Sequence, residues 1–98
     1  MPALTNSPAA LVDRALELAP RVALRREPFG ALAYHYGTRR LVFLKDRDLV
    51  RVVEALASQP TLGAAFDACA IADGRRAAFE RAIAGLVESE IVRERADR

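Results

Sequence analysis

The hydrophobic positions of this chain follow two different periods. Between residues 21 and 36, apolar residues alternate with polar or small ones, and Leu41 to Leu44 is a short β-rich run; both patterns are typical of β-strands. Glu27-Pro28 and Gly37-Thr38 interrupt the alternation and predict two turns, with Gly37 in the positive-φ conformation that tight hairpins require. The segment is therefore predicted to be a three-stranded antiparallel meander.

The predicted middle strand, Gly30 to Tyr36, carries different side chains on its two faces. One face has larger residues and the other has smaller ones: Leu32, Tyr34 and Tyr36 against Ala31, Ala33 and His35. We expect at least one of the two tyrosines to pack in the core, because an aromatic ring offers a large apolar surface for burial.

Three amphipathic helices are predicted downstream, because apolar residues recur at i, i+3, i+4 and i+7. Asp46 or Asp48, Thr61 and Asp73 lie at helix starts, as N-caps or first-turn residues. The apolar stripes are Leu49, Val52, Val53 and Leu56; Leu62, Ala65, Phe66 and Cys69; and Phe79, Ala82, Ile83 and Leu86. The predicted fold is α+β and winged helix-turn-helix-like: a three-stranded antiparallel sheet followed by three helices, in the order β-β-β-α-α-α.

The ends of the chain have no regular period. The predicted units are an N-terminal lead, partly flexible, over residues 1–19, a folded domain over 20–92 and a charged tail over 93–98. Residues 8–19 have two interpretations: a helix capped by Ser7, or an extended segment in which Leu16 and Leu18 alternate about an acid.

Composition excludes several kinds of chemistry. One histidine and one cysteine cannot complete a zinc site or hold an iron–sulfur cluster, and no glycine loop of a phosphate-binding type is present. Cys69 lies on an apolar stripe, which favours a buried, inert thiol, and His35 is expected to form hydrogen bonds or to lie on the surface. We therefore expect no catalytic residue, no metal and no cofactor.

Charge and cysteine content bear on partners and compartment. The net charge is only +2, and its positive excess is central, where Arg25, Arg26, Arg39 and Arg40 lie. Such a patch favours an acidic partner. The single cysteine, the absence of a long apolar run and the lack of a signal-peptide pattern favour a cytoplasmic protein without membrane contact.

The run RRLVFLK, residues 39–45, is a candidate interaction site. It is short, β-prone and free of proline, so its backbone could accept an added strand from another chain if it lies at the sheet edge. The alternative is an inner or covered strand.

The run RVALRREPFGALAYHYGTRRLVFLKDRDLVRVVEAL resembles the peptide chaperones of mycofactocin biosynthesis, the MftB family. This family belongs to the PqqD-like RiPP recognition elements, where RiPP denotes a ribosomally made, post-translationally modified peptide. The similarity extends from about Pro20 to Ile91, and EPFGALAYHYGTRRLVFL is its most specific part. It implies the same fold and a non-catalytic domain that binds the acidic leader of an MftA-like precursor peptide. The domain then presents the precursor to an MftC-like radical S-adenosylmethionine (SAM) enzyme.

The resemblance also implies a binding site. The leader would pair with the third strand, Arg40 to Leu44, in a groove beside the third helix. Either Leu41 and Phe43 or Val42 and Leu44 would line that groove. The implied peptide-binding residues are Arg39, Arg40, Leu41, Val42, Phe43, Leu44, Arg75, Arg76, Phe79 and Arg81.

Two other functions compete with peptide capture. The first is a winged-helix DNA-binding regulator in which Arg75, Arg76 and Arg81 read DNA, although nearby acids would face the phosphates and we expect no nucleic-acid partner. The second is a very small hydrolase or transferase that uses His35 and Cys69. The sequence leaves the oligomeric state open.

Overall fold

The computed structural model describes residues 10–96, and its elements follow the predicted order with additions at both ends. The strands are β1 (Leu16–Leu18), β2 (Val22–Glu27), β3 (Gly30–His35), β4 (Leu41–Leu44) and, near the end of the chain, β5 (Val92–Glu94). The helices are α1 (Arg47–Ala55), α2 (Leu62–Ala68) and α3 (Asp73–Glu88), with short 3-10 turns at Leu11–Asp13 and Leu56–Ser58. The predicted fold class, an antiparallel sheet of three strands followed by three helices, is confirmed.

The two end strands, β1 and β5, form a separate antiparallel sheet. Leu16 pairs with Glu94 and Leu18 with Val92, so the extended interpretation of this segment is correct and the helical one is wrong. The prediction had divided these strands among a lead, a domain and a tail, and had treated the charged tail as loose. Buried Leu16 and Val92 instead fix both strands to the core. The frayed lead expected over residues 1–8 lies outside the described residues.

The larger sheet has the strand order β2-β3-β4 with antiparallel neighbours. Ala23 lies opposite Tyr34, and Tyr34 lies opposite Leu41 on the other side. Side chains at paired positions share a face of the sheet. One row of such residues therefore crosses all three strands.

The helices cover the sheet face that carries the small residues. Ala31 and Ala33 are fully buried, whereas Tyr36 is 58% exposed and Tyr34 is half-buried on the opposite face. The expectation that one of the two tyrosines belongs to the core is therefore wrong. Helix α1 contacts β3, and alanine side chains let a helix approach a sheet closely, so the bulky residues lie on the outer face.

The β3–β4 loop is organised around His35. Its Nδ1 accepts hydrogen bonds from the backbone N–H groups of Gly37 (3.0 Å) and Thr38 (3.1 Å), which confirms a hydrogen-bonding role for this histidine. The positive φ of the loop belongs to Arg39 (66°), so the positive φ predicted for Gly37 is wrong. A Cβ at Gly37 would lie 2.9 Å from the imidazole, so glycine is required there for space.

Capping and burial fix the three helices. The Asp46 carboxylate caps α1 by accepting from the backbone N–H groups of Asp48 and Leu49, and the Thr61 hydroxyl caps α2. Asp73 lies in the first turn of α3, and Cys69 is buried as predicted. No helix in the described range has the length and apolar composition needed to cross a membrane.

Candidate functional site

β4 is an edge strand: β3 pairs with one side, and no other strand of residues 10–96 pairs with the opposite side. The Arg40 carbonyl accepts from the His35 N–H (2.9 Å), and the Leu44 carbonyl is directed at β3 beside Gly30. In an antiparallel pair, alternate residues direct their N–H and C=O groups to opposite sides of the strand. Leu41 and Phe43 therefore present their backbone groups at the free edge, and the interpretation of RRLVFLK as an inner strand is wrong.

The side chains of β4 divide between the two faces of the sheet. Leu41 and Phe43 lie on the outer face, 52% and 53% exposed. Val42 is half-buried and Leu44 is buried on the helix side. The sequence left open whether Leu41 and Phe43 or Val42 and Leu44 face the helices. In the structure, Val42 and Leu44 face them.

Two contacts relate the ends of helix α3 to the two ends of β4. Near its start, the Arg75 guanidinium donates to Asp46 and Asp48, just beyond the end of β4, at 2.8 Å each. Near its end, Val87 lines a cavity of about 460 Å³ together with His35, whose backbone is bonded to Arg40 at the start of β4. The 12 residue steps from Arg75 to Val87 span about 18 Å in a helix, and the six steps from Arg40 to Asp46 span about 20 Å in extended chain.

Unpaired cations flank β4 at both ends. Arg39 and Arg40 at its start are exposed, as is Lys45 at its end. None of the three forms an ion pair with any residue of the described range. Because the free edge lies between these charges, an acidic segment that approaches the edge meets favourable charge on both sides.

Arg75 differs from those cations because it is already paired. Its guanidinium bridges Asp46 and Asp48 and lies over the Phe79 ring, 4.8 Å from the ring centroid. The hydrogen bond from Arg75, with a further one from Arg51, lowers the pKa of the Asp48 carboxyl, and the same contact raises the pKa of Arg75. Arg75 thus joins the start of α3 to the start of α1.

The remaining α3 candidates lie apart from the free edge or beneath the surface. Phe79 is 7% exposed and packs against Phe66, so its ring belongs mainly to the core. Arg76 binds Asp67 at the end of α2 and the carbonyl of Ile71. Arg81 is exposed and follows Phe79 by two positions, which turns it about 200° around the helix from the buried stripe.

The sequence did not indicate that the outer face of the sheet is an exposed apolar surface. Phe29, in the turn before β3, stacks on Phe43 with 5.8 Å between ring centroids, beside Leu41 and the two tyrosines. The alternation of Leu32, Tyr34 and Tyr36 was the available signal, and only its assignment to the core was wrong. Among residues 10–96, no group of three or more His, Cys, Asp or Glu side chains is arranged to hold a metal ion.

Comparison with known proteins gives consistent matches over most of the chain. The sequence model of the "Peptide chaperone MftB family" matches residues 15–93. The chain is 45% identical over 80 residues to the peptide chaperone MftB of Mycolicibacterium smegmatis, covering 82% of this chain and 78% of that protein. The proteins of the same name from Mycobacterium ulcerans and Mycobacterium tuberculosis are 42% and 41% identical over 80 residues, which cover 82% of this chain and 73% of each relative. No solved structure gives a significant match.

Proposed function

The chain belongs to the peptide chaperone MftB family, and from this premise we propose that it captures the leader of a ribosomally made precursor peptide as a strand added to β4. The captured peptide, of the MftA type, is then presented to a radical SAM enzyme of the MftC type in mycofactocin biosynthesis. The chain acts in this scheme as a peptide chaperone and performs no chemistry of its own.

The free backbone edge of β4 is the observation that carries this proposal. Leu41 and Phe43 direct N–H and C=O groups away from the sheet, and an extended peptide can satisfy them with its own backbone. Such bonds supply affinity with little sequence preference, because every peptide offers the same backbone groups. Selectivity must then come from the surrounding side chains.

Charge supports an acidic leader as the occupant. Arg39 and Arg40 at one end of β4 and Lys45 at the other are exposed and without ion pairs in the described range. Carboxylates of the leader would pair with these cations without displacing an existing partner. The two arginines also disfavour pairing of β4 with the same edge of a second copy, because like charges would meet.

The helix side supports an apolar contact. Val42 is half-buried on this side of the free edge, and Phe79 of α3 lies largely beneath the surface. Side chains of an added strand alternate between the two faces, so every second leader residue would turn toward α3. We propose that Val42 and Leu44 line the groove that receives these leader residues and that Phe79 forms its floor.

The arginines of α3 have unequal parts in this proposal. A leader carboxylate reaches Arg75 only by competing with Asp46 and Asp48, so Arg75 is a secondary contact. Arg76 is held at Asp67, and Arg81 faces away from the buried stripe, so neither is assigned to the leader. The ion pairs of Arg75 and Arg76 disfavour the DNA-binding alternative, which needs these two guanidiniums free for phosphates and bases.

A backbone-specific substitution tests strand addition. Phe43→Pro removes the edge-facing N–H, and proline is tolerated at sheet edges; Phe43→Ala removes the same ring and keeps the N–H. Titration of each variant with a fluorescent acidic leader peptide separates the two contributions. We expect Phe43→Pro to bind at least tenfold more weakly than Phe43→Ala.

Two measurements complete the test. Thermal unfolding of both variants establishes that each retains the fold, since the Phe43 N–H is not part of the β3–β4 ladder. Equal leader affinity of folded Phe43→Pro and Phe43→Ala would show that the Phe43 backbone takes no part and would refute the strand-addition model.

A further inference from the structure

The outer face of the β2-β3-β4 sheet is an exposed apolar surface that leader capture does not account for. The most exposed large apolar side chains of the described range are collected on it: Phe29, Tyr36, Leu41 and Phe43. With half-buried Leu32 and Tyr34 they form what we call the aromatic face. Contiguous apolar surface of this kind marks an interaction site in a folded protein.

The aromatic rings are already ordered. Phe29 stacks on Phe43 with 5.8 Å between ring centroids, and Tyr34 meets Tyr36 edge-on at 5.0 Å. Leu41 and Arg25 line a shallow depression of about 220 Å³ beside the tyrosines. Rigid aromatic side chains lose little conformational entropy on binding and are enriched at interface centres.

A peptide added to β4 covers only the margin of this face. Neighbouring strands are about 4.8 Å apart, so Tyr34 on β3 lies about 10 Å from an added strand. Leu41 and Phe43 adjoin the peptide, whereas the tyrosines and Leu32 stay uncovered. A second partner is therefore needed to bury the middle of the face.

The charges around the face indicate the chemistry of that partner. Lys45 and the loop residues Arg39 and Arg40 border it without ion pairs in the described range, while Arg25 is bound to Glu27. Face-to-face packing of two copies would bring these cations together, which disfavours a homodimer. A surface with protruding apolar side chains surrounded by carboxylates is complementary.

We infer that the aromatic face is the docking surface for the radical SAM enzyme, which contacts it with apolar side chains ringed by carboxylates. The identity of this partner rests on the proposed function. The enzyme and the leader then occupy adjoining surfaces, the face and the edge of one sheet, and meet at Leu41 and Phe43. The two ligands share the cations Arg39, Arg40 and Lys45, which lie where the edge meets the face, so one small domain holds both at the same time.

The test uses two matched double variants of the full chain. Tyr34→Ser/Tyr36→Ser removes both rings from the middle of the face, and Tyr34→Phe/Tyr36→Phe keeps the rings and removes only the hydroxyl groups. Binding to the purified radical SAM enzyme of the mycofactocin system is measured by biolayer interferometry. Binding to the fluorescent leader is measured by anisotropy, and mass in solution by analytical ultracentrifugation.

We expect the serine pair to weaken enzyme binding at least tenfold while leader affinity stays within twofold of wild type. The phenylalanine pair should match wild type in both assays. If the serine pair is unstable in thermal unfolding, Tyr36→Ser alone serves the same purpose, because this ring is 58% exposed and its loss leaves no cavity.

Three outcomes would overturn the inference: enzyme affinity of the serine pair within twofold of wild type, a parallel loss of leader affinity, or a wild-type dimer that the serine pair dissociates. The first outcome would mean that the enzyme does not contact the face. The second would mean that the face binds the leader peptide, and the third that it binds a second copy of the chain. Failure of the wild type to bind leader while its enzyme binding depends on the tyrosines would refute strand addition and support the docking surface.

Discussion

Arg39 and Arg40 stand out at the residue scale because their charges have no partner in the described range, whereas Arg75 and Arg76 are both paired. A free cation gains its full interaction with an incoming carboxylate, but a paired one must first release its own. The contribution of a given arginine to leader binding therefore depends on its existing contacts as much as on its position. Arg81 offers a matched comparison, since it is exposed but faces away from the buried stripe of α3.

Charge reversal tests this distinction. We expect Arg39→Glu/Arg40→Glu to weaken binding of an acidic leader about tenfold or more at low salt, because attraction becomes repulsion. Arg81→Glu, with half the change in charge, should alter the affinity less than twofold. Titration of both variants at low and high salt provides the measurement, and the difference between them should shrink as salt screens the charges. A loss of binding free energy for Arg81→Glu that is half the loss for the double variant would mean that net charge alone steers the peptide.

At position 37, the side chain of a neighbouring residue, His35, favours glycine. A Cβ at this position would lie 2.9 Å from the His35 imidazole, to which two backbone N–H groups donate. We expect Gly37→Ala to lower the free energy of unfolding by about 1–2 kcal/mol through overpacking. Gly85→Ala is the control, because a Cβ there meets no atom within 4 Å and alanine stabilises a helix by up to about 1 kcal/mol. Urea denaturation distinguishes the two signs, and a stable Gly37→Ala would show that the imidazole can move aside.

At the scale of the elements, the strands and helices that were predicted correctly are those with a local pattern of their own. β2 and β3 alternate, β4 is a short β-prone run, and α1, α2 and α3 carry apolar stripes, so each element is recognisable from local residues. Strands β1 and β5 have only three residues each and hold together through long-range pairing, such as the Glu17–Arg93 ion pair. No local pattern signals a partner 76 positions away.

The local sequence pattern also could not predict which face of the sheet is buried. Alternation separates Tyr34 from Ala33, but it does not say which of the two the helices cover. The close approach of α1 decides in favour of alanine, and that approach depends on the whole packing arrangement. The candidate site was predictable as far as the strand RRLVFLK and its arginines. The pairing of Arg75 with Asp46 and Asp48 required three-dimensional knowledge.

The β1–β5 sheet should contribute measurably to stability. Leu16 is fully buried, so we expect Leu16→Ala to lower the free energy of unfolding by about 2–5 kcal/mol. Leu41→Ala makes the same chemical change in a strand residue that is 52% exposed, and its effect should stay below about 1 kcal/mol. Urea denaturation measures both. A cost at Leu16 no larger than that at Leu41 would mean that the first strand does not belong to the cooperative unit.

At the scale of the whole molecule, Arg75 connects the first helix, α1, to the last helix, α3. It bridges Asp46 and Asp48 at the start of α1 from the start of α3, next to the end of β4. Because Asp46 also caps α1, the same small cluster fixes the start of one helix and the position of another. The orientation of α3 beside β4 therefore depends on carboxylates that lose their charge in acid.

The pH dependence of this connection follows from the sign of the Asp48 shift. Its pKa is lowered in the folded chain, chiefly by the hydrogen bond from Arg75, so the charged carboxylate contributes stability above the ordinary aspartate range. That contribution is lost as the pH falls through the lowered pKa. Asp48→Asn should therefore be less stable than wild type at neutral pH, and the difference should vanish in strong acid, where both side chains are neutral.

Urea denaturation of wild type and Asp48→Asn between neutral pH and strong acid provides the measurement. Asp13→Asn is the control, because it removes an aspartate whose side chain has no ion pair in the described range. A stability difference for Asp48→Asn that persists in acid would point to lost hydrogen-bond geometry instead of lost charge. Weaker leader binding by Asp48→Asn than by wild type at neutral pH, where the carboxylates of the leader are charged, would connect the position of α3 to the free edge of β4.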